Sequence, residues 1–437
     1  MSGTAVWTSR PSGPLRGEIT VPGDKSISHR AIMLAALAEG ESRITGFLEG
    51  EDTRATAAVF RSLGVAIEEP AASRRVVHGV GLDGLSPPSG PLDCGNSGTG
   101  MRLLAGLLAG QRFDSVLIGD ASLSRRPMRR IIEPLSSMGA VIDAEEGGLP
   151  PLRIRGGQDL SGVSYTPPVA SAQIKSALLL AGLYARGETE MREIHPTRDY
   201  TERMLAAFGW PIAFAPGRAR LSGRHRLRAT DVEVPADFSS AAFFIAAATL
   251  VHGSELVLRD VGLNPRRTGL LAVLRAMGAD IREDNRREQG GELVADLIVR
   301  HAPLRGIEVP LGHVPDMIDE FPILFIAAAA ARGTTTIRGA AELRVKESDR
   351  IATMAAGLRA LGVIVEENPD GAVIEGGTMR GGNVDSAGDH RVAMSFAVAG
   401  LIAADAVRIA DCANVATSFP AFIELANGSG FAIKPAL

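Results

Sequence analysis

The chain has 437 residues, a formal net charge of -4 at pH 7 and a pI near 6.1, and it is 45% hydrophobic and 22% charged. At about 150 residues per domain this length predicts two or three domains. The acidic balance argues against a protein that binds nucleic acid over its whole surface. We therefore expect a soluble globular protein whose anion-binding groups, where present, are local clusters of Arg and Lys.

The cysteines and the apolar runs exclude further classes. Cys94 and Cys412 form no CxxC pair, so neither a disulfide framework nor a zinc site is encoded. The apolar run 321–331 is well short of the ~20 residues that a membrane span needs. The first 20 residues lack a signal-peptide core. These features predict a cytoplasmic protein without a metal or cofactor.

One unit of about 70 residues recurs six times along the chain. Each copy has an Ala/Leu-rich first helix, a short strand, a loop and a second helix that ends at glycine, the usual left-handed cap. The first helices are predicted at 26–40, 98–110, 171–187, 239–253, 319–333 and 390–404. The second helices are predicted at 54–64, 128–139, 201–209, 268–278, 350–362 and 418–430. The repeat indicates an α/β protein.

A near-duplicate predicts where the six copies divide into two domains. Val21-Pro22-Gly23-Asp24 is echoed by Val234-Pro235-Ala236-Asp237. If each stretch opens one half, residues 23–234 form the first domain and residues 1–22 with 235–437 form the second. The hinge would then lie near 21–24 and 233–238. The alternative is a six-unit solenoid without a hinge.

The starts of the helices carry chemically active groups. Pro22 to Arg30 places Lys25, Ser26 and Arg30 at a helix N-terminus, where orphan N–H groups and the positive dipole end favour an anion. The alternative is an ordinary capped helix with solvated charges. The glycine-rich run 95–100 could form a nest of N–H groups, although it is not a Walker A sequence.

The later copies add charges of both signs. They include Asp316, Asp319 and Glu320, Lys346 to Arg350, Asp389-His390-Arg391, and arginines 125, 126 and 198 ahead of second helices. Arginine is unfavourable at a helix N-terminus without an anionic partner. Acids among these cations indicate a catalyst that moves protons on an anionic substrate. His29 and His390 are further acid/base candidates, although a lone histidine beside an arginine is more often a structural residue.

These motifs together resemble the 5-enolpyruvylshikimate-3-phosphate synthases over essentially the whole chain. The matching stretches are 22–30, 95–102, 126–128, 171–173, 343–350 and 389–394. The resemblance implies an inside-out α/β barrel of two domains, each with three βαβαββ units. It also implies transfer of the enolpyruvyl group of phosphoenolpyruvate to the 5-hydroxyl of shikimate 3-phosphate by a monomer that needs only these small molecules.

The resemblance also implies residue roles. Shikimate 3-phosphate would be held by Lys25, Ser26, Arg30, Ser171, Ala172, Gln173, Arg198 and Lys346. Phosphoenolpyruvate would be surrounded by Lys25, Gly98, Arg126, Gln173, Arg350 and Arg391. Asp319 would take the proton from the 5-hydroxyl, and Glu347 or Lys25 would protonate the methylene carbon.

One departure concerns the C-terminal region. Many members have a lysine where this chain has Ala416 to Pro420, and together with Ser97-Gly98-Thr99-Gly100 this resembles the family's divergent second class. Glyphosate competes with phosphoenolpyruvate in this family. Because Gly98 leaves room for the inhibitor, we expect sensitivity.

Two alternatives belong to different classes. The sister enolpyruvyl transferase that acts on UDP-N-acetylglucosamine shares the architecture, but it has Lys-Asn where this chain has Lys25-Ser26, and usually a reactive loop cysteine. Cys94 is better explained as a buried small residue. A non-catalytic anion-binding repeat protein would leave Asp319 and Glu347 unexplained.

Overall fold

The computed structural model describes residues 5–436, and the chain forms two compact units. The first unit comprises Gly23–Val234 and Gln289–Gly291. The second unit comprises the chain up to Pro22, Pro235–Glu288 and the chain from Glu292 onward. Each unit has its own apolar core.

Twelve α-helices lie within residues 5–436. They are α1 (Lys25–Leu37), α2 (Glu51–Ser62), α3 (Gly98–Ala109), α4 (Arg129–Ser137), α5 (Ala172–Gly182), α6 (Tyr200–Ala207), α7 (Phe238–Leu250), α8 (Gly269–Met277), α9 (Phe321–Ala330), α10 (Arg350–Ala360), α11 (His390–Ile402) and α12 (Phe422–Gly428). The odd-numbered helices are the first helices of the six copies and are buried over most of their length. A helix enclosed on all sides has no polar face, which explains their Ala/Leu-rich sequences.

The strands within the same residues form six sheets. They are β1 (Val6–Ser9), β2 (Arg16–Ile19), β3 (Ala38–Thr45), β4 (Ala66–Ala71), β5 (Arg74–Val80), β6 (Leu92–Asp93), β7 (Ser115–Ile118), β8 (Val141–Glu145), β9 (Leu149–Arg155), β10 (Ser164–Tyr165), β11 (Glu188–Arg192), β12 (Ile212–Ala215), β13 (Arg218–Ser222), β14 (Leu227–Arg228), β15 (Val232–Glu233), β16 (Glu255–Gly262), β17 (Asp280–Gln289), β18 (Glu292–Arg300), β19 (Thr334–Ile337), β20 (Ile364–Asn368), β21 (Gly371–Glu375), β22 (Gly382–Asp385), β23 (Val407–Ala410) and β24 (Ile433–Ala436).

The sheets repeat one topology, which confirms the fold class expected from the sequence. In the order β6-β7-β9-β8, one parallel pair is followed by antiparallel neighbours, so that the second copy reads βαβαββ. Strands from other parts of the chain complete the copies at the ends. β14 and β15 pair in parallel with β3, β2 pairs in parallel with β16, and β1 lies between β23 and β24.

Glycine has the predicted left-handed conformation after every second helix. The six residues are Gly64, Gly139, Gly209, Gly278, Gly362 and Gly430, with φ between 81° and 111°. The left-handed conformation also occurs at four of the five glycines predicted to end first helices, since Gly40, Gly187, Gly253 and Gly333 have φ between 76° and 111°. The predicted helix ends are too late, however, because α1, α7 and α9 already end before these glycines, at residues in extended conformation. Gly110 is helical in φ and ψ, and a side chain there would overlap the ring of Tyr184.

We expect Gly278→Ala to destabilise the protein by about 1–2 kcal/mol, because an L-residue is strained in the left-handed region. Gly278 has φ 109°, and an added Cβ would meet the carbonyl oxygen of Pro303 at 3.4 Å, so the cost is conformational rather than steric. The control is Gly428→Ala at the end of α12, where a Cβ meets nothing within 4 Å. It should stabilise by about 0.4–1 kcal/mol. Urea unfolding measures both changes, and equal effects would contradict the explanation.

Among residues 5–436, no helix combines the length and hydropathy that a transmembrane segment requires.

Candidate active site

In the first unit, the predicted site residues lie at the N-termini of the buried helices. Asp24 caps α1, Ser97 caps α3 and Ser171 caps α5, each accepting a bond from a backbone N–H in the first turn. Lys25 is therefore the first residue of α1, Gly98 the first of α3 and Ala172 the first of α5. Unsatisfied N–H groups and the positive dipole end make such helix ends favourable for anions.

Side-chain contacts connect these helix ends. Arg102 Nη1 donates to Gln173 Oε1 at 2.8 Å, and Gln173 Nε2 donates to Thr99 Oγ1 at 2.8 Å. The imidazole of His29 lies 3.3 Å from Ser97 Oγ. The sequence-predicted residues of all three helix starts therefore share one face of the first unit.

Lys25 is held by an acid that the sequence analysis did not single out. Its Nζ lies 2.9 Å from Asp52 Oδ2 in α2, and both side chains are largely buried. Asp52 fixes the direction of the ammonium group and balances part of its charge. The backbone oxygen of Ser26, next along α1, accepts a bond from Arg30 Nη1 at 2.8 Å.

Arg30 is buried and already bonded along its whole guanidinium. Nε donates to Thr201 Oγ1 at 2.7 Å and Nη2 donates to Ser176 Oγ at 2.8 Å. Burial and, next, the charge of nearby Arg198 lower the pKa of Arg30 to about 10. Arg30 therefore remains charged at neutral pH, and its charge and that of Arg198 repel one another. A bound anion would reduce this repulsion.

Gly98 lies beside two arginines. A Cβ at this position would come within 3.0 Å of Arg102 Nη1 and 3.3 Å of Arg126 Nη1. Arg126 Nη2 donates to Asn96 Oδ1 at 2.9 Å and to Ser122 Oγ at 3.1 Å, which fixes the plane of its guanidinium. Gly98 and Arg126, two of the predicted phosphoenolpyruvate residues of this unit, are therefore neighbours.

The glycine-rich loop does not form the open nest of N–H groups that its sequence suggested. The N–H of Gly95 donates to Asp93 Oδ1, that of Gly98 to the carbonyl of Asn96, and that of Gly100 to Ser97 Oγ. These N–H groups are already hydrogen-bonded within the loop. The positive charge at this helix start therefore comes mainly from Arg102 and Arg126.

Two of the residues weighed as reactive groups have structural environments. His29 is fully buried, with Nδ1 2.7 Å from Thr56 Oγ1, and burial lowers its pKa well below the usual value, so the ring is neutral at pH 7. Burial raises the pKa of the Cys94 thiol, which is therefore not a reactive thiolate.

In the second unit, Asp319 is surrounded by cations. It lies just before α9, with Oδ2 3.4 Å from Arg267 Nη1. Its other oxygen, Oδ1, lies 3.7 Å from Arg350 Nη1 and 3.9 Å from Lys346 Nζ. Burial lowers the pKa of Lys346, and the charge of Asp319 acts against that shift. The predicted base, its lysine neighbour and the predicted arginine are thus within one cluster.

Arg350 is 1% exposed and joins three acids. Nε lies 2.8 Å from Asp389 Oδ2 and Nη2 lies 2.6 Å from Glu347 Oε2. Nη1, which points toward Asp319, is buried without a hydrogen-bond partner in the described part of the chain. A buried charged donor left unsatisfied is costly, so this atom is suited to an anionic ligand.

Arg391 and the acid before α9 are linked in the same unit. Arg391 Nη1 lies 3.8 Å from Glu320 Oε1, and Glu320 also accepts a very short hydrogen bond from Ser239 Oγ. Asp389 caps α11 and accepts from the N–H of Arg391 at 2.9 Å. Three helix starts, of α7, α9 and α11, are therefore joined by charged side chains.

Sequence reasoning missed Arg267 as a member of this cluster. Its Nη2 contacts Asp237 Oδ1 at 3.2 Å and Ser239 Oγ at 2.5 Å, and its side chain is 5% exposed. A weak signal was present, because Arg267 lies two residues before α8, within the short segment ahead of a second helix that also carries Arg126 before α4 and Lys346 before α10.

Comparison with known proteins identifies the family. The model of the family described as EPSP synthase (3-phosphoshikimate 1-carboxyvinyltransferase) matches residues 9–425. The chain belongs to the EPSP synthase family. A relative from Xanthomonas campestris pv. campestris (strain B100), named 3-phosphoshikimate 1-carboxyvinyltransferase, is 67% identical over 99% of this chain and 98% of its own. A relative of the same name from Xanthomonas oryzae pv. oryzae (strain PXO99A) is 66% identical over 100% and 99%.

Solved EPSP synthase structures agree with this assignment. One from Acinetobacter baumannii has a TM-score of 0.90 at 50% identity and covers 99% of this chain and 100% of its own. A second from the same organism has a TM-score of 0.89 at 49% identity. Membership of the EPSP synthase family confirms the resemblance found in the sequence motifs and leaves no support for the sister transferase or for a non-catalytic repeat protein.

Proposed function

We propose that this chain transfers the enolpyruvyl group of phosphoenolpyruvate to the 5-hydroxyl of shikimate 3-phosphate and releases phosphate. The carrying observation is Asp319, a carboxylate placed among Arg267, Lys346 and Arg350. A base surrounded by cations suits a substrate that brings both an acidic proton and negative charge. The full-length relatives that carry the name of this activity support the proposal.

The cations of both units divide between two anionic substrates. Shikimate 3-phosphate is held by Lys25, Ser26, Arg30, Ser171, Ala172, Gln173, Arg198 and Lys346. Phosphoenolpyruvate is held by Lys25, Gly98, Arg126, Gln173, Arg350 and Arg391. Arg350 Nη1 is buried without a hydrogen bond and has Asp319 Oδ1 at 3.7 Å, and the guanidinium plane of Arg126 is fixed, so both groups suit carboxylate or phosphate oxygens. Asp319 removes the proton from the 5-hydroxyl as the oxygen attacks the carbon that bears the phosphate and the methylene carbon takes up a proton. The resulting methyl group then loses a proton as the bond to phosphate breaks, which restores the double bond and releases phosphate.

Two groups are candidates for protonating the methylene carbon. Glu347 Oε2 lies 2.6 Å from Arg350 Nη2, and its carboxyl group would have to be protonated before it could act as the acid. Lys25 Nζ lies 2.9 Å from Asp52 Oδ2, which fixes its position at the start of α1. Comparing Glu347→Gln with Lys25→Met by proton exchange into the methylene group separates the two.

We also propose that the protein works as a cytoplasmic monomer with hinges near residues 21–24 and 233–238. The chain passes between its two compact units at Pro22–Gly23 and at Val234–Pro235. Closure on the first substrate would exclude water from the reacting groups. Small-angle scattering with and without shikimate 3-phosphate tests closure, and light scattering tests the monomer.

The deciding experiment measures phosphate release from phosphoenolpyruvate with shikimate 3-phosphate and, in parallel, with UDP-N-acetylglucosamine. Turnover only with shikimate 3-phosphate is expected. Turnover with the nucleotide sugar, or with neither acceptor, would refute the proposal.

We expect Gly98→Ala to raise KM for phosphoenolpyruvate several-fold and the inhibition constant of glyphosate by more, about tenfold or above. The added methyl group would press on the guanidinium groups of Arg102 and Arg126 at 3.0 and 3.3 Å. The unaltered enzyme should be sensitive, with an inhibition constant near or below KM for phosphoenolpyruvate. Steady-state inhibition measures both constants. An inhibition constant far above that KM would contradict this account of Gly98.

A further inference from the structure

The first unit contains a buried charge cluster that the proposed chemistry does not use. Lys175 of α5 has its Nζ 2.9 Å from Glu193 Oε2 and 2.8 Å from Glu202 Oε1. The three side chains are only 3%, 1% and 2% exposed. Removing charges from water is costly, and such a cluster is weak evidence for stability alone. Its contacts suggest a different purpose.

The cluster fixes Thr197, the residue directly before Arg198. The backbone N–H of Thr197 donates to Glu193 Oε2 at 3.2 Å, and its hydroxyl donates to Glu193 Oε1 in a very short bond. Lys175 Nζ donates to the carbonyl oxygen of Thr197 at 3.3 Å. Every polar group of Thr197 is thus bonded to the cluster. The connection from β11 to α6, which carries Arg198, is therefore fixed at Thr197, the residue before this arginine.

The same elements hold Arg30. Ser176, next to Lys175, accepts from Arg30 Nη2, and Thr201, next to Glu202, accepts from Arg30 Nε. Thr201 Oγ1 also donates to Ser176 Oγ at 2.7 Å. The two arginines therefore depend on one pair of helices, α5 and α6, which the charge cluster joins.

The charge of the cluster fits this arrangement. The formal charges of one lysine and two glutamates sum to -1, although burial raises the pKa of Glu202 against the opposing charge of Lys175. The field of Glu202 favours the charged form of Arg30, while that of Arg198 opposes it. Negative charge beneath two neighbouring arginines reduces their mutual repulsion when no anion is bound. The site then need not rearrange to receive one.

We propose that Lys175, Glu193 and Glu202 are positioning residues that set Arg198, alongside Arg30, to receive the phosphate of shikimate 3-phosphate. This inference rests on the proposed function. The cluster acts through Thr197 and contacts no substrate itself. Its effect is therefore on the binding of one substrate and not on the chemical step.

The test compares Glu193→Gln and Thr197→Val with Glu190→Gln. Glu190 lies in β11, three residues before Glu193, and its partners are Ser164, Arg192 and Arg218 rather than Thr197. Glu193→Gln and Thr197→Val should each raise KM for shikimate 3-phosphate about tenfold, with kcat and KM for phosphoenolpyruvate changed by less than about twofold. Glu190→Gln should leave all three constants unchanged.

A double-mutant cycle separates positioning from general loss of structure. Arg198→Gln should raise the same KM, and Glu193→Gln added to it should raise KM no further, because Glu193 acts through Arg198. Independent, multiplying effects would overturn the inference, as would an unchanged KM in folded Glu193→Gln. A parallel fall of kcat, of both affinities and of the melting temperature would show a structural role only and also overturn it. Absence of turnover in the unaltered enzyme would instead refute the proposed function itself.

Discussion

Asp319→Asn should lower kcat for phosphate release by about 10³-fold while leaving the protein folded, because a positioned base commonly contributes 10²–10⁴-fold. The amide keeps the shape of the side chain but cannot accept the proton of the 5-hydroxyl. Both substrates should still bind within a few-fold of their usual affinity, since the arginines and lysines that hold them remain. Rapid-quench turnover and calorimetric binding of shikimate 3-phosphate measure the two effects separately.

The matched control is Asp316→Asn. Asp316 precedes the same helix, is largely buried and contacts Arg266 Nη1 at 3.3 Å, outside the cluster around Asp319. It should retain kcat within about threefold. Retention of more than a tenth of the activity in Asp319→Asn would show that another group is the base.

The sequence predicted the architecture because its signals are local. A glycine after each second helix and an apolar run in each first helix repeat at a spacing of about 70 residues, and both follow from backbone conformation and burial. Errors in the boundaries arose where tertiary contacts decide. α5 ends at Gly182 rather than at Gly187, and β11 begins directly after that glycine, at Glu188.

The sequence also predicted which helix starts bear the charged and polar candidate residues, but not which partners hold those residues. Lys25 is paired with Asp52, and Asp319 with Arg267, across elements that are distant in the chain. Lys175 looks like a solvated helix residue until α6 and the preceding connection cover it. Such partners depend on how the helices and their connections pack in three dimensions, and local sequence patterns do not encode them. The placement of substrates on the individual residues stays a prediction.

Arg350→Met should lower the free energy of unfolding by about 3–5 kcal/mol, because it leaves a buried carboxylate without its partner. Arg350 Nε contacts Asp389 Oδ2 at 2.8 Å, and both side chains are at most 1% exposed. The control is Arg344→Met in the same segment. Arg344 pairs with Asp349 and Glu367 but is 27% exposed, so its loss should cost about 1 kcal/mol or less.

The pH dependence of that loss identifies Asp389 as its source. Burial alone would raise the pKa of Asp389, but Arg350 outweighs it, and the pKa in the folded enzyme is below the usual value. In the unaltered enzyme, Asp389 therefore adds stability above its unfolded pKa, and this stability is lost as the pH falls through the folded pKa. In Arg350→Met, burial acts without the opposing charge of Arg350 and raises the pKa of Asp389. The buried carboxylate then destabilises the fold at neutral pH, and this destabilisation disappears when Asp389 takes up a proton.

The difference in free energy of unfolding between the unaltered enzyme and Arg350→Met should consequently be smaller at pH 4 than at pH 7. Adding Asp389→Asn to Arg350→Met should restore part of the lost stability, since the amide keeps the cap on α11 without the charge. Urea unfolding at both pH values, on the single and double variants, provides the measurement. A difference that does not change with pH, together with no recovery in the double variant, would assign the loss to packing of the long arginine side chain instead of to the buried charge.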